Sequence, residues 1–342
     1  SEVKDVKIDQ LGEWRRTHYS VDVTPDLSGK EVIVFGWVLD IRDLGGLRFI
    51  ILQDREGDVQ VTIPRRKISA EVVKKAEALQ RQYSVGVRGT VQETKMTPRG
   101  VEIIPSEIKI VGVAQHPLPL DVTGRTPSDI DVRLDARVLD LSRQENRAIF
   151  RVQHAALEAT RSFLSELGFM EVQTPRIIAS ATEGGAALFP VNYYDKQAYL
   201  AQSPQLYKEQ LVIDFEKVFE VGHFFRAEES HTRRHTSEFV SIDIEQAFAT
   251  TTDVMEVLEE LVHYVCEVVN DRCRRELKIL RHKVEVPETP FKRFTYDHVV
   301  DELKKKGVEV TWGEDIPTPA LRTLGRLHPY FYFITDWPKT AR

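Results

Sequence analysis

The sequence predicts two domains of different class: a small barrel of short strands, followed by an α+β domain built on an antiparallel sheet. Three observations carry this expectation. The chain has 342 residues, more than a single hydrophobic core serves at about 100–200 residues per domain. Between Glu31 and Val113, short runs of alternating apolar and polar side chains are broken by turn signals, the period of half-buried strands. From Ala148 onward, a long helical stripe is followed by strands in hairpin-like succession rather than by strands alternating with helices.

The barrel strands are Val32–Leu39, Arg48–Gln53, Val59–Pro64, Ser84–Gln92 and Val101–Val111. Gly45-Gly46, Arg55-Glu56-Gly57-Asp58 and Thr97-Pro98-Arg99-Gly100 supply turns between them. One amphipathic helix, around Ser69–Gln82, lies between the third and fourth strands. Five strands with a helix at that place is the order of an OB-fold barrel, a common oligonucleotide binder. The first 115 residues carry 18 Lys+Arg against 17 Asp+Glu, while the whole chain has a net charge of −6. This balance argues against holding nucleic acid by bulk charge alone and leaves a local patch as the means. Arg65-Arg66-Lys67 is a candidate patch, with an ordinary solvated loop as the equal alternative.

Gln115-His116-Pro117-Leu118-Pro119-Leu120 reads as a proline-rich hinge and Thr123–Asp131 as a polar linker. The expected division is therefore residues 1–115, a hinge over 116–135, and a second domain over 136–342. That domain opens with a helix, Ala148–Leu167, whose Ile149, Val152, Ala156, Phe163, Leu164 and Leu167 recur at three- and four-residue steps before Gly168 ends it. Phe169–Pro175 is extended, and Pro175, lacking an N–H, suits a sheet edge or an interface. Strands are expected near Phe189–Tyr194, Ala198–Leu200, Val218–His223 and Ser241–Ala249, then a helix over Asp253–Arg275.

Several classes are set aside by composition. With 42% hydrophobic and 29% charged residues the chain is neither disordered nor fibrous. No stretch approaches the roughly 20 apolar residues of a membrane span. The N-terminus is charged from Glu2 onward, unlike a signal peptide, which makes the cytoplasm the expected compartment. Cys266 and Cys273 are too few for a disulfide framework and lack the spacing of a zinc site.

No Walker A or Rossmann glycine fingerprint is present, so a nucleotide must be held by another device. The densest polar cluster offers one: Phe224-Phe225-Arg226-Ala227-Glu228-Glu229, then Arg233-Arg234-His235, then Glu238-Phe239 and a strand with Asp243 and Glu245. A guanidinium at a strand end can grip a phosphate oxygen bidentately and neutralise charge building on phosphorus; a surface ion-pair network is the alternative for this cluster alone. Ala181-Thr182-Glu183-Gly184-Gly185-Ala186 is a glycine-hinged loop with one carboxylate, suited to closing over an ammonium group. Gln205 and Lys208 stand three apart on the first turn after Pro204, where they should project from one face. A carboxylate for an amino group, a lysine for an acidic side chain and an arginine for a phosphate together describe an acidic amino acid meeting ATP.

At these residues the chain resembles the class II aminoacyl-tRNA synthetases with an N-terminal OB-fold anticodon-binding domain, most closely their archaeal-type aspartyl members. Gly168-Phe169-Met170-Glu171-Val172-Gln173-Thr174-Pro175 is similar to motif 1, and Phe225-Arg226-Ala227-Glu228-Glu229 with Arg234, His235 and Glu238 to motif 2. The resemblance implies a class II catalytic domain with an antiparallel sheet, and a homodimer through motif 1 around Pro175. It implies aspartate activation with ATP and Mg2+ and transfer to tRNA(Asp), with tRNA(Asn) a further candidate acceptor. Arg226 would bind the α-phosphate and the amino-acid carboxylate, Glu228 the adenine side, and Arg234, His235 and Thr236 the rest of ATP. Glu183 would take the aspartate ammonium, and Gln205 through Lys208 would line the aspartate pocket. Phe49 would stack on an anticodon base, with Arg42 and Gln60 at other anticodon-contacting positions and Leu39 among those that choose the acceptor tRNA. Lys208 is what favours aspartate, because a neutral amide would leave that desolvated cation unpaired. Motif 3 and the acidic Mg2+ ligands normally follow a segment like Ile334–Arg342, so the resemblance implies a longer chain. Two other readings stay open on the residues: a paralogue that amidates aspartate to asparagine, and a tRNA-binding paralogue without catalysis.

Overall fold

The computed structural model describes residues 6–180, 187–228 and 236–341. The chain divides into two compact units, Ser1–Asn146 and Arg147–Arg342.

The first unit holds β1 (Glu31–Leu44), β2 (Leu47–Gln53), β3 (Asp58–Pro64), α1 (Ala70–Ala78), β4 (Ser84–Glu93) and β5 (Val101–Gly112). They close into a barrel in the order β1-β2-β3-β5-β4, the OB arrangement expected from the sequence. Alternate residues supply the core, among them Val32, Val34, Ile50, Leu52, Val61, Ile63, Val85, Val87, Ile103 and Ile110. The tight coiling needs Gly36 and Gly89: a β-carbon at either would lie 2.4 Å from a carbonyl oxygen, that of Gln53 or Ile104.

One boundary differs from expectation. β1 does not end at Leu39 but continues to Leu44 through a register shift between Val38 and Asp40. Asp40 is a buried acid, at odds with the apolar alternation, and is satisfied by Arg81 (2.7 Å) and by Arg125 from the following linker. Burial pushes its pKa up, but the two guanidiniums prevail and hold the carboxyl below its ordinary value. The Arg65-Arg66-Lys67 patch is also reduced, because Arg65 is taken by Asp43 and Glu77. Past the barrel come two short helices, α2 (Ile130–Asp135) and α3 (Arg137–Asp140), with Arg133 and Arg137 gathered on the buried Asp140.

Helix α4 (Gln144–Glu166) leads into the second unit. It ends as its sequence suggests: Gly168 has φ +84°, and the Phe169 and Gly168 N–H groups donate to the Leu164 and Ser165 carbonyls, a Schellman cap. There follow β6 (Met170–Glu171), β7 (Ile177–Ile178), β8 (Pro190–Tyr193), β9 (Lys196–Leu200), α5 (Gln205–Phe215), β10 (Lys217–Phe225) and β11 (Glu238–Gln246). Next are α6 (Thr251–Arg272), α7 (Arg274–Ile279), β12 (Lys292–Thr295), α8 (Tyr296–Lys305), α9 (Thr318–Leu327) and β13 (Tyr332–Thr335). The helix expected over Asp253–Arg275 breaks at Cys273, whose buried side chain packs among Ala155, Val269 and Leu277. The strand expected to reach Ala249 stops at Gln246, before Phe248 turns to φ +54°.

Among the described residues β10 and β11 form an antiparallel pair, with β6 running parallel along the other edge of β10. Directly opposed residues on paired strands share a face. On one face Phe219, Val221 and Ile244 pack with Leu157 and Leu164 of α4 and Val257 of α6. The other face carries Glu220, Gly222 and Phe224 opposite Asp243, Ser241 and Phe239. Apolar burial thus fixes the sheet from one side and leaves the chemistry on the other. A separate small core, Tyr296, Val299, Leu303, Ile316, Ala320 and Leu324, holds α8 and α9 beside the parallel pair β12–β13.

Candidate functional site

Arg226 follows directly on the polar face of β10, and its backbone is held on several sides. The Phe225 N–H donates to the Ala201 carbonyl (2.9 Å), that of Arg226 to Ser237 (3.0 Å) and that of Ala227 to Ala187 (2.9 Å). The guanidinium carbon lies 5.3 Å from the Phe239 ring centroid, a cation–π distance that steadies the group. Glu228 and Thr236 are exposed on either side of the intervening segment. Glu183, Arg234 and His235 lie outside the described residues.

Helix α5 brings the lysine. Pro204 occupies its N-cap position and the Gln205 N–H donates to Ser203 Oγ (3.3 Å). Tyr207 packs with Ile178, Ala201, Phe224 and Phe239, which seats the first turn of α5 against the polar face. Lys208, its side chain only 12% exposed, donates from Nζ to Asp243 Oδ1 (3.4 Å) and the Ile244 carbonyl (3.3 Å), and Nζ lies 3.6 Å from Glu245 Oε2. Ser241 Oγ holds the second oxygen of Asp243. Gln205 and Lys208 do not share a partner: the Gln205 amide donates instead to Glu209 Oε1 (2.6 Å) on its own helix. A largely desolvated ammonium between carboxylates is a point charge able to receive a further carboxylate.

Residues 168–175 run beside β10 through β6. Pro175 is exposed, as are Met170 and Ile177 near it. The flanking Thr174 and Arg176 reach inward to Glu220, a contact that nothing in the sequence announces, since Arg176 and Glu220 stand 44 positions apart.

In the barrel, register places Arg42 opposite Phe49, Phe49 opposite Thr62 and Ile51 opposite Gln60, so Arg42, Phe49 and Gln60 share the outer face. Phe49 and Gln60 are half-buried and Arg42 is exposed. Gln60 Nε2 donates to Thr62 Oγ1 (3.1 Å) and to Glu102 Oε2 (3.2 Å), while the Thr62 hydroxyl donates to the same carboxylate oxygen (2.5 Å). With its amide nitrogen on an acceptor-only carboxylate, Gln60 has its side-chain oxygen as the group able to accept a further hydrogen bond. Glu102 and Thr62 are neighbours of Gln60 that sequence reasoning missed. Asp40, Arg42, Gln60, Met96, Arg99 and Arg125 help line a cavity of about 480 Å³ on this unit, and Arg99 anchors its Thr97–Gly100 wall by donating to the carbonyls of Ser20, Val21, Val23 and Asp58.

Among the described residues, no group of three or more His, Cys, Asp or Glu side chains converges as a metal site, and no helix is long and apolar enough to cross a membrane.

Comparison with known proteins agrees with this geometry. The family described as tRNA synthetases class II (D, K and N) matches residues 129–342, and that described as OB-fold nucleic acid binding domain matches residues 32–111. The chain is 50% identical over 326 residues to the Aspartate–tRNA(Asp/Asn) ligase of Methanopyrus kandleri, covering 95% of this chain and 76% of that protein. To the Aspartate–tRNA(Asp/Asn) ligase of Archaeoglobus fulgidus it is 49% identical, with the same coverage of each. Among solved structures, asparaginyl-tRNA synthetase from Pyrococcus horikoshii complexed with asparaginyl-adenylate superposes with a TM-score of 0.87 at 32% identity, over 95% of this chain and 75% of that one. Aspartyl tRNA synthetase from Entamoeba histolytica gives 0.84 at 28% identity, over 98% and 74%.

Proposed function

We propose a division of labour within this chain, which belongs to the class II tRNA synthetases of the aspartate, lysine and asparagine group: the barrel reads the anticodon, and the second unit makes and transfers the activated amino acid. The reaction is the ligation of aspartate to tRNA, with ATP as substrate. In the first step an oxygen of the aspartate α-carboxylate attacks the α-phosphorus of ATP in line. The bond to the bridging oxygen breaks, pyrophosphate leaves, and aspartyl-adenylate remains. In the second, a hydroxyl of the terminal tRNA ribose attacks the adenylate carbonyl and AMP leaves. Displacement at phosphorus asks for positioning and charge neutralisation rather than a side-chain nucleophile.

Arg226 is assigned the α-phosphate and the amino-acid carboxylate, where a planar fork stabilises charge developing in the transition state. Glu228 takes the adenine side, and Arg234, His235 and Thr236 the remainder of ATP. Glu183 takes the substrate ammonium, and Gln205 through Lys208 line the pocket for its side chain. The observation that supports aspartate over its neutral relative is Lys208, a cation with little exposed side chain that a substrate carboxylate can approach and to which asparagine offers no charge. In the barrel, Phe49 stacks on an anticodon base, Gln60 accepts from a base edge and Arg42 contacts the same loop; tRNA(Asp) is the acceptor, with tRNA(Asn) a second, as in the names of the similar ligases. The described residues offer no converging set of carboxylates for Mg2+, so the ion is assigned no ligand here and no step. Exposed Met170, Pro175 and Ile177 support motif 1 as the surface of a homodimer, and the cytoplasm is the proposed compartment.

The test is Arg226→Ala. Aspartate-dependent exchange of pyrophosphate into ATP is expected to be abolished with tRNA affinity retained, whereas near-normal exchange refutes the assignment.

A further inference from the structure

Glu220 of β10 and Asp243 of β11 are directly opposed on the polar face. Like charges so placed, with Cβ atoms about 4.5–5.5 Å apart, repel one another, and Glu220 is only 1% exposed. Each carboxylate has its own cation. Asp243 holds Lys208, as described, and Glu220 binds Arg176 Nη2 while also accepting the Thr174 N–H (3.1 Å) and hydroxyl (2.8 Å). The route of Arg176 is built for this contact. A β-carbon on Gly222 would lie 2.1 Å from Arg176 Nη2, so the guanidinium passes over the one residue of the face that has no side chain. Its carbon sits 4.3 Å from the Phe224 ring centroid, and the Arg176 carbonyl accepts the Ala201 N–H (2.9 Å). The guanidinium thus spans Glu220, Gly222 and Phe224, the three positions of the face that precede Arg226.

We propose that Arg176 is a specificity-determining positioning residue: by neutralising Glu220 it keeps that carboxylate from competing for Lys208, so that Lys208 can receive the side-chain carboxylate of the substrate. Without Arg176, Lys208 answers for Asp243, Glu245 and, across the strand pair, Glu220, and the substrate adds a fourth negative charge to one ammonium. The inference rests on the assignment of Lys208 to the aspartate pocket.

Its test is charge arithmetic at one face. Arg176→Met is expected to raise the KM for aspartate at least tenfold in pyrophosphate exchange, with kcat and the KM for ATP changed less than threefold. Arg176→Met combined with Glu220→Gln removes the pair together and is expected to return the aspartate KM to within threefold of the parent. A role confined to holding the fold gives a different pattern: both substrates' KM values move together, and the second substitution restores nothing. That pattern overturns the proposal, as does a normal aspartate KM in Arg176→Met. If Arg176→Met alone does not fold, the double variant decides, and a tenfold loss of aspartate affinity in the folded double variant overturns it. Lys208→Met, measured beside them, separates the two claims: an unchanged aspartate KM in that variant removes the pocket assignment itself, whereas a raised KM there with a normal one in Arg176→Met removes only the part given to Arg176.

Discussion

Replacing Lys208 by methionine keeps the length and apolar stem of the side chain and deletes its charge. In the structure Nζ lies 3.4 Å from Asp243 and 3.6 Å from Glu245, and the side chain is 12% exposed. Removing one partner of a buried ion pair costs about 3–5 kcal/mol because the other charge is left uncompensated. The carboxylates here are partly open, at 19% and 29% exposure, so solvent screening brings the loss to roughly 2–4 kcal/mol. At about 1.4 kcal/mol per decade, kcat/KM for aspartate is expected to fall by about 30- to 700-fold. The substrate's own carboxylate then meets Asp243 and Glu245 with no cation between them, so the loss should fall on aspartate and spare asparagine. The assay is pyrophosphate exchange with aspartate and asparagine as alternative substrates. A change under threefold in kcat/KM for aspartate, with the preference over asparagine intact, refutes the reasoning.

The barrel and the second unit give independent predictions. Phe49→Ala should weaken tRNA binding by about 1–3 kcal/mol, the scale of one base stacked on an aromatic ring, with aspartate-dependent pyrophosphate exchange unchanged; a filter-binding titration beside the exchange assay checks both. Asp121 sits in the linker after the barrel, where burial pushes its pKa up but hydrogen bonds from Thr123 and Thr126 outweigh it and hold the carboxyl at about 2. A depressed folded pKa contributes stability above the unfolded value of about 4 that is lost as pH falls through the folded value. The stability lost in Asp121→Ala, on the order of 1 kcal/mol at neutral pH, should therefore shrink between about pH 4 and pH 2, as followed by urea unfolding of parent and variant.

The barrel was legible because its signals are local. Period-2 alternation, glycine-bearing turns and one capped helix each act over a few residues, and the Schellman cap at Gly168 is of the same kind. Misreadings arose where a distant partner overrides a local cue. Asp40 looks like a strand end until Arg81 and Arg125 satisfy it, 41 and 85 residues away. The same distinction runs through the site. Arg226 and Lys208 stand in contiguous motifs that can be read in line, whereas the residues that orient the site do not. Glu102 turns the Gln60 amide from 42 residues away, and Glu220 meets Arg176 from 44. Nothing in the spacing of either pair announces it; the pairing of β3 with β5 brings the first together, and the chain running on from β6 beside β10 brings the second. Gln205 and Lys208 do stand in the first turn of α5, but Glu209, one turn on from Gln205, takes its amide, a local contact that the spacing alone does not foretell.

The central proposal is that Lys208 and Arg226 make this chain select aspartate. Pyrophosphate exchange run on the protein with aspartate, asparagine and lysine in parallel tests it most directly. The account predicts exchange with aspartate alone, and exchange with asparagine or lysine equal to or above that with aspartate would contradict it.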